Sequence, residues 1–146
     1  MRRAFSILEL MVSVAIVAVL ASIAVPQMQE MALKAKRAEA PTNLRGISDA
    51  SVAYHATANV YLDSGFNPSL PGLNASLRDW RTNRAGWSTL GWAPDGRVRC
   101  IYRLNDTGYA EAMCDVDNDN DVALLEYHYP AATTPGQLLD YYPDYY

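Results

Sequence analysis

The polarity of the chain changes sharply along its length. From Phe5 to Val25 the residues read FSILELMVSVAIVAVLASIAV, an apolar run in which Glu9 is the sole charge. At about 1.5 Å per residue, a helix of this length reaches roughly 30 Å, the thickness of the bilayer hydrocarbon. Beyond Pro26 the run gives way to an amphipathic pattern. Leu33, Ala40, Ile47 and Tyr54 recur at heptad spacing and Leu44 joins their face, which predicts that the helix continues to about Ala58 and lays this stripe on a sheet. Lys34, Lys36, Glu39, Asn43 and Arg45 are assigned to the opposite, polar face. Pro26 and Pro41 each remove a helical hydrogen bond, so a bend or a loosening is expected at both.

After Ala58 the pattern shortens. Residues 59–86 carry turn signals at Asp63-Ser64-Gly65, Asn67-Pro68, Leu70-Pro71-Gly72 and Asn83-Arg84-Ala85-Gly86, with a short helix expected around Ser76–Arg81. Trp80, Trp87 and Trp92 read as core or core-edge aromatics. Arg97–Leu104 and Tyr109–Cys114 read as two strands joined by the turn Asn105-Asp106-Thr107-Gly108. A loop centred on Thr107 sets Cys100 opposite Cys114, Arg103 opposite Glu111 and Arg99 opposite Asp115. The last two are favourable cross-strand charge pairs. Leu104, Tyr102 and Cys100 then share a face with Ala110, Ala112 and Cys114. Val122–Tyr129 reads as a further strand. The tail from Asp140 to Tyr146 is aromatic and acidic, and it is compatible with packing on the sheet, with contact to a neighbour, or with disorder.

These elements predict an α+β protein: a long N-terminal helix, hydrophobic in its first half and amphipathic in its second, packed on a small antiparallel sheet. The divisions are a basic leader at 1–4, a membrane-spanning helix at 5–25, its amphipathic continuation at 26–58 and a β-rich head at 59–146. A length of 146 residues suits one domain plus an appendage. Arg2 and Arg3 precede the apolar run, so the positive-inside rule leaves them in the cytoplasm and puts the head outside. In that compartment Cys100 and Cys114 are expected to form one disulfide. The formal charge is −4 and the acidic residues concentrate after residue 105. No basic stripe is available for phosphates, and nucleic acid is not an expected partner.

The chemistry-bearing residues are few. Nothing in the chain reads as a catalytic triad, a phosphate-binding glycine loop or a histidine ligand set, so an enzyme is not expected. His55 reads as a solvated or core-edge histidine. The sharpest local motif is acidic: Asp115, Asp117, Asp119 and Asp121, with Glu126 at the twelfth position counted from Asp115. A calcium loop of the EF-hand type places oxygen ligands at positions 1, 3 and 5, a tight turn at 6 and a carboxylate at 12. Asn120 stands at the turn position, where Asn tolerates the left-handed conformation. Calcium at this loop is weighed against an acidic solvated turn, because no helices flank it and a strand at 122–129 would carry Glu126 away. No cofactor is otherwise required.

The apolar run has a second reading. Met1-Arg2-Arg3 followed by an apolar segment and Ser22-Ile23-Ala24 fits a cleaved secretory signal. The run exceeds the usual length of such a segment, and Glu9 would only burden it, since ionisable residues in membrane spans are expensive and functional by default. The stretch Ala4-Phe5-Ser6-Ile7-Leu8-Glu9-Leu10-Met11-Val12, with Pro26, Lys36-Arg37-Ala38-Glu39 and Asn43-Leu44 following, resembles the type IV prepilin family. Its short-leader class has a small residue before the cut, then Phe, then Glu at the fifth position after the cut. Trp87-Ser88-Thr89-Leu90-Gly91-Trp92-Ala93-Pro94-Asp95-Gly96 resembles the head of such pilins more weakly. Ala4 departs from the usual Gly.

The resemblance implies a type IV pilin fold. It also implies cleavage by a prepilin peptidase between Ala4 and Phe5, with methylation of the new Phe5 amine. Glu9 would neutralise the Phe5 amine of a neighbouring subunit, because opposite charges in an apolar bundle are tolerable only when paired. The subunit would pass from the inner membrane into a helical filament of identical copies at the cell surface, handled by the pilus assembly machinery. Two alternatives stay open. One is a pseudopilin of a type II secretion system, towards which the calcium-like loop leans. The other is a soluble binding module released by signal peptidase.

Overall fold

The structure, a computed structural model, describes residues 6–71 and 73–146. Helix α1 runs Ile7–Arg37 and α2 runs Glu39–Ala58. Pro26 lies inside α1 without interrupting it. The interruption falls at Ala38, three residues before Pro41. The physical cause is the proline ring, which supplies no N–H to the Arg37 carbonyl and crowds it. At its far end α2 closes on Asn59 in the left-handed conformation, whose N–H donates to the His55 carbonyl. The chain clusters into two compact units divided between Leu33 and Lys34. In the first unit every described side chain of α1 up to Met31 is exposed, including Leu10, Val14, Val17 and Leu20.

The second unit is built on a four-stranded antiparallel meander: β1 (Ile101–Asn105), β2 (Tyr109–Cys114), β3 (Ala123–His128) and β4 (Gln137–Asp140), in that spatial order. The expected hairpin register is observed, with Tyr102 opposite Ala112, Arg103 opposite Glu111 and Leu104 opposite Ala110. Cys100 and Cys114 are joined by a disulfide. β1 starts at Ile101 rather than Arg97, so Arg99 and Asp115 fall outside the ladder and do not pair across it. β3 matches its expected span closely. β4 was not expected; it ends at Asp140, where the acidic, aromatic tail begins.

Alternation explains the core. Tyr102, Leu104, Ala110, Ala112, Cys114, Ala123 and Leu125 are buried on one sheet face. Helix α2 packs on β2 and β3, and Ala40, Leu44 and Ile47 are fully buried. Leu33 and Tyr54, at the ends of the same stripe, are half-buried. The stripe is widened by Ser48 and Ser51. Gly46 sits inside α2 because a Cβ there would come within 2.8 Å of Trp92 Nε1. A helical glycine costs about 0.5–1 kcal/mol against alanine, and the indole packed against its backbone offsets that cost.

The segment after α2 covers the outer edge of β1. Asn67 exchanges backbone hydrogen bonds with Tyr102, at 2.8 and 3.0 Å. Its buried side chain bridges to the Arg81 backbone through both amide atoms. An exposed sheet edge invites pairing with another chain, and this loop closes it. The expected helix at Ser76–Arg81 is not formed. Arg78 instead pairs with Val98 as an isolated bridge, with bonds of 2.7 and 3.0 Å in each direction, and extended pairing excludes a helical turn there. A short helix α3 (Trp87–Leu90) lies further on. Trp80 meets Trp87 and Trp92 edge-on, at 4.8 and 5.4 Å between ring centroids, as core-edge aromatics do. His55 stacks on Tyr61 at 4.2 Å. Beyond β4 the tail is tied down by Arg37, which donates to Asp140 Oδ1 at 2.5 Å and to the carbonyls of Tyr142 and Pro143.

Candidate functional site

Three places carry the residues singled out by sequence. The first is the start of α1. Ala4 and Phe5, the expected processing residues, lie outside the described residues. Glu9 stands in the first turn of α1 and is exposed. Its backbone carbonyl accepts a bond from Ser13 Oγ at 2.8 Å. Among the described residues no bonding partner is seen for its carboxylate. The surrounding side chains Ile7, Leu8, Leu10, Met11 and Val12 are all exposed and apolar. The mean hydropathy along this helix reaches 2.5, and it is long and apolar enough to cross a membrane. A lone carboxylate on such a surface is expensive in a membrane and marks Glu9 as a candidate functional residue.

The second place is the acidic loop between β2 and β3. Carboxylate oxygens of Asp115, Asp117 and Asp119 lie within 4.8 Å of one another. Asp115 is buried, and its Oδ1 accepts the Asn118 N–H at 2.7 Å. Asn118 and Asn120 both take positive φ, 67° and 73°, so Asn120 makes the left-handed turn expected of it. Asp117 is held above its ordinary pKa, first by the desolvation of its carboxylate and then by the charge of Asp119, with Asp115 adding a little. Backbone hydrogen bonds work in the opposite direction. The part of the rise that comes from Asp119 and Asp115 is the repulsion of close like charges, which a hard cation would relieve.

Two of the expected ligands are not part of that set. Asp121 stands outside it, its N–H donating to Asp119 Oδ1. Glu126 is carried off by β3, where it faces Glu111 on one side and Leu139 on the other. There it accepts the Tyr141 hydroxyl at 2.8 Å and lies 3.3 Å from His128 Nε2. Extended backbone rises about 3.3 Å per residue, which takes position 12 away from the loop that a helical flank would have kept beside it. The twelve-residue ligand set therefore reduces to three aspartates.

The third place was not visible in the sequence. Glu39 and Asn43, assigned to the polar face of the helix, in fact meet the head. Glu39 Oε1 accepts the N–H groups of Arg99 and Cys100 at 2.7 and 2.9 Å, and the Tyr102 hydroxyl at 3.3 Å. Asn43 Nδ2 donates to the same hydroxyl at 2.9 Å. Burial, and after it the Glu39 charge, push the Tyr102 phenol well above its ordinary pKa, while the Asn43 bond acts against them. The carboxylate thus closes the end of β1 just where the disulfide begins. The available signal was the i, i+4 spacing of Glu39 and Asn43, one step round from the buried Ala40 and Leu44. On the outer sheet face, Glu111 pairs with Arg103 at 2.8 Å, as the register required. Desolvation still raises its pKa, more than Arg103 lowers it, and Glu126 adds to the rise.

Comparison with known proteins supplies what the geometry of one chain does not. The family model described as the prokaryotic N-terminal methylation motif matches residues 1–25. The chain is similar to the type IV major pilin protein PilA of Myxococcus xanthus (strain DK1622), at 33% identity over 133 residues, which is 91% of this chain and 47% of that protein. It spans about half the length of this curated relative. No solved structure matches the chain.

Proposed function

The chain carries the prokaryotic N-terminal methylation motif and is similar to a type IV major pilin, and from that premise we propose that it belongs to the type IV pilin-like (prepilin) family and is the structural subunit of a type IV pilus filament. The observation that carries the proposal is Glu9, a lone charge at the start of an exposed apolar helix that falls inside the matched methylation motif. In the membrane the apolar side chains of α1 are solvated by lipid. In a filament they pack against the same helices of neighbouring copies, and Glu9 pairs with the Phe5 amine that processing after Ala4 exposes. Both steps leave the head on the outside. The role is structural, in keeping with the pilin relative. Partners follow from it: other copies of the chain, the inner membrane, the prepilin peptidase and the assembly machinery.

The test is Glu9→Ala as the sole copy, with surface filaments and membrane-bound subunit measured together. A carboxylate costs about 2.5–3.5 kcal/mol in a membrane span on insertion scales, so the variant should insert at least as well as wild type. Removing one partner of a buried pair costs about 3–5 kcal/mol, so filaments should be lost while cleaved, folded subunit accumulates. Normal filament yield would show that the charge is not used in docking. A mature N-terminus at Val25 rather than Phe5 would instead identify a signal-peptide-released domain.

A pseudopilin of a type II secretion system remains the second reading, favoured by the acidic loop. For that loop the proposal is calcium held by Asp115, Asp117 and Asp119 without Glu126. Its support is their mutual distance and the raised pKa of Asp117. Three carboxylates are fewer oxygens than calcium takes, so water or backbone carbonyls would complete the shell and the affinity would be weak, about 0.1–1 mM. Melting of the head should rise with millimolar calcium and return with chelator, and the response should disappear in Asp117→Asn. Indifference to calcium would leave the loop a solvated turn.

A further inference from the structure

Charge is segregated within the head. Arg78, Arg81, Arg84, Arg97, Arg99 and Arg103 fall within one stretch, and from residue 104 to 146 there is no Lys or Arg at all. The basic stretch contains a groove of about 420 Å³, whose walls include Arg78, Arg81, Arg97, Asp79, Ser69 and Pro68. Its walls are fixed from outside. The Arg78 backbone is bridged to Val98, the Arg81 backbone to Asn67, and Arg97 Nη2 donates to the Leu77 carbonyl. Asp79 offsets one guanidinium, at 3.2 Å from Arg97 Nε. No hydrogen-bond or ion-pair partner is seen for the Arg81 guanidinium among the described residues.

Arg78 is the unusual member. Its Nη1 donates to the Ser69 carbonyl at 2.8 Å. Its Nε and Nη2 are shielded from solvent and have no hydrogen-bond partner among the described residues. These two nitrogens form one edge of the guanidinium, the edge that meets both oxygens of a carboxylate in a bidentate pair. A buried donor left without an acceptor is costly and calls for an explanation. A carboxylate is the group whose geometry fits that edge once the Arg78 side chain turns it towards the groove.

We propose that this groove receives the acidic loop of a second copy of the chain, with Asp117, Asp119 or Asp121 seated among Arg78, Arg81 and Arg97. All three aspartates are exposed, and no ion pair joins them to these arginines within one copy. Groove and loop are different surfaces of one head. Contact between them is therefore heterologous, and a heterologous contact that does not close into a ring propagates as an open helical assembly. The inference deepens the filament reading and rests on it. It adds a head-to-head contact that sets which neighbour a subunit accepts, since like charges at a wrong register are repelled.

The experiment uses the full chain carrying Arg81→Lys, which keeps the charge and supplies a primary amine. Labelled (15N) and unlabelled copies are mixed, treated with a zero-length carbodiimide in the presence of chelator, and digested. The expected product is a mixed-isotope amide linking the peptide of position 81 to that of residues 115–121, both in sheared filaments and in detergent-solubilised membrane protein. A link confined to single-isotope peptides, or a link only to other carboxylates, overturns the proposal. In parallel, Arg81→Glu should cut filament yield by about tenfold with membrane-bound subunit unchanged, and Asp119→Arg added to it should restore the yield. An undiminished yield, or no rescue from a folded double variant, likewise overturns it. If wild type forms no filaments but the detergent sample still gives the mixed link, the filament reading fails and this pairing stands.

Discussion

Replacing Glu39 by Ala removes one carboxylate that serves three donors from the far side of the head. The N–H groups of Arg99 and Cys100 and the Tyr102 hydroxyl all lose their acceptor. Cys100 and Tyr102 are fully buried, so water cannot replace it without opening the helix–sheet contact. Hydrogen bonds to a charged group are worth about 1.5–3 kcal/mol each, and a stranded buried donor costs about 1–3 kcal/mol. The three bonds share one oxygen and one is long, so they do not add in full, and the expected loss is about 3–5 kcal/mol. For a head of roughly a hundred residues that lowers melting by about 10–20 °C. Glu39→Gln keeps an acceptor oxygen in place and should lose only about 1–2 kcal/mol. Asp49→Ala, an exposed carboxylate on the same helix, should stay within about 0.5 kcal/mol of wild type. Thermal unfolding of the detergent-solubilised chain, followed by the near-ultraviolet dichroism of the tryptophan cluster, reads all three. If Glu39→Ala melts with Asp49→Ala, the carboxylate does not join α2 to β1 as the distances imply.

Two further outcomes follow from the sheet. Reduction of the Cys100–Cys114 disulfide, or the paired Cys100→Ser and Cys114→Ser variant, should cost about 3 kcal/mol through the freed unfolded chain. Two titratable thiols in protein isolated from its native compartment would contradict the bond. Glu111 has its folded pKa raised, chiefly by desolvation, so the folded state prefers its protonated form. Its contribution to stability is full below the ordinary carboxylate pKa and is lost as pH rises to the raised value. The melting difference between Glu111→Gln and wild type should therefore shift in favour of the variant as pH rises through that window. A shift in favour of wild type would show that Arg103 outweighs burial.

Much of this protein is legible from local pattern. The apolar run with its single carboxylate, the heptad stripe of α2, the hairpin register and the strand after the acidic loop all rest on periodicity or on pairing between near neighbours. Those forces act over a few residues, so the sequence displays them. The register of β1 and β2 was specified three times over, by two cysteines, by Arg103 with Glu111 and by the turn, and it formed as specified. What the sequence hid depends on distant partners. Glu39 looks like a solvated helix carboxylate until the fold brings a backbone N–H from 60 residues away to 2.7 Å. Arg37 looks like a surface cation until β4 presents Asp140 to it from 103 residues on. Glu126 sits at a calcium-ligand spacing, but the strand pattern at 122–129 already pointed it away from the loop; what the fold added is its partners, the neighbours that β2 and β4 place beside it. A polar side chain carries no mark of its partner in its own neighbourhood. Its role is set by whichever donor or charge the tertiary fold places within about 3 Å of it.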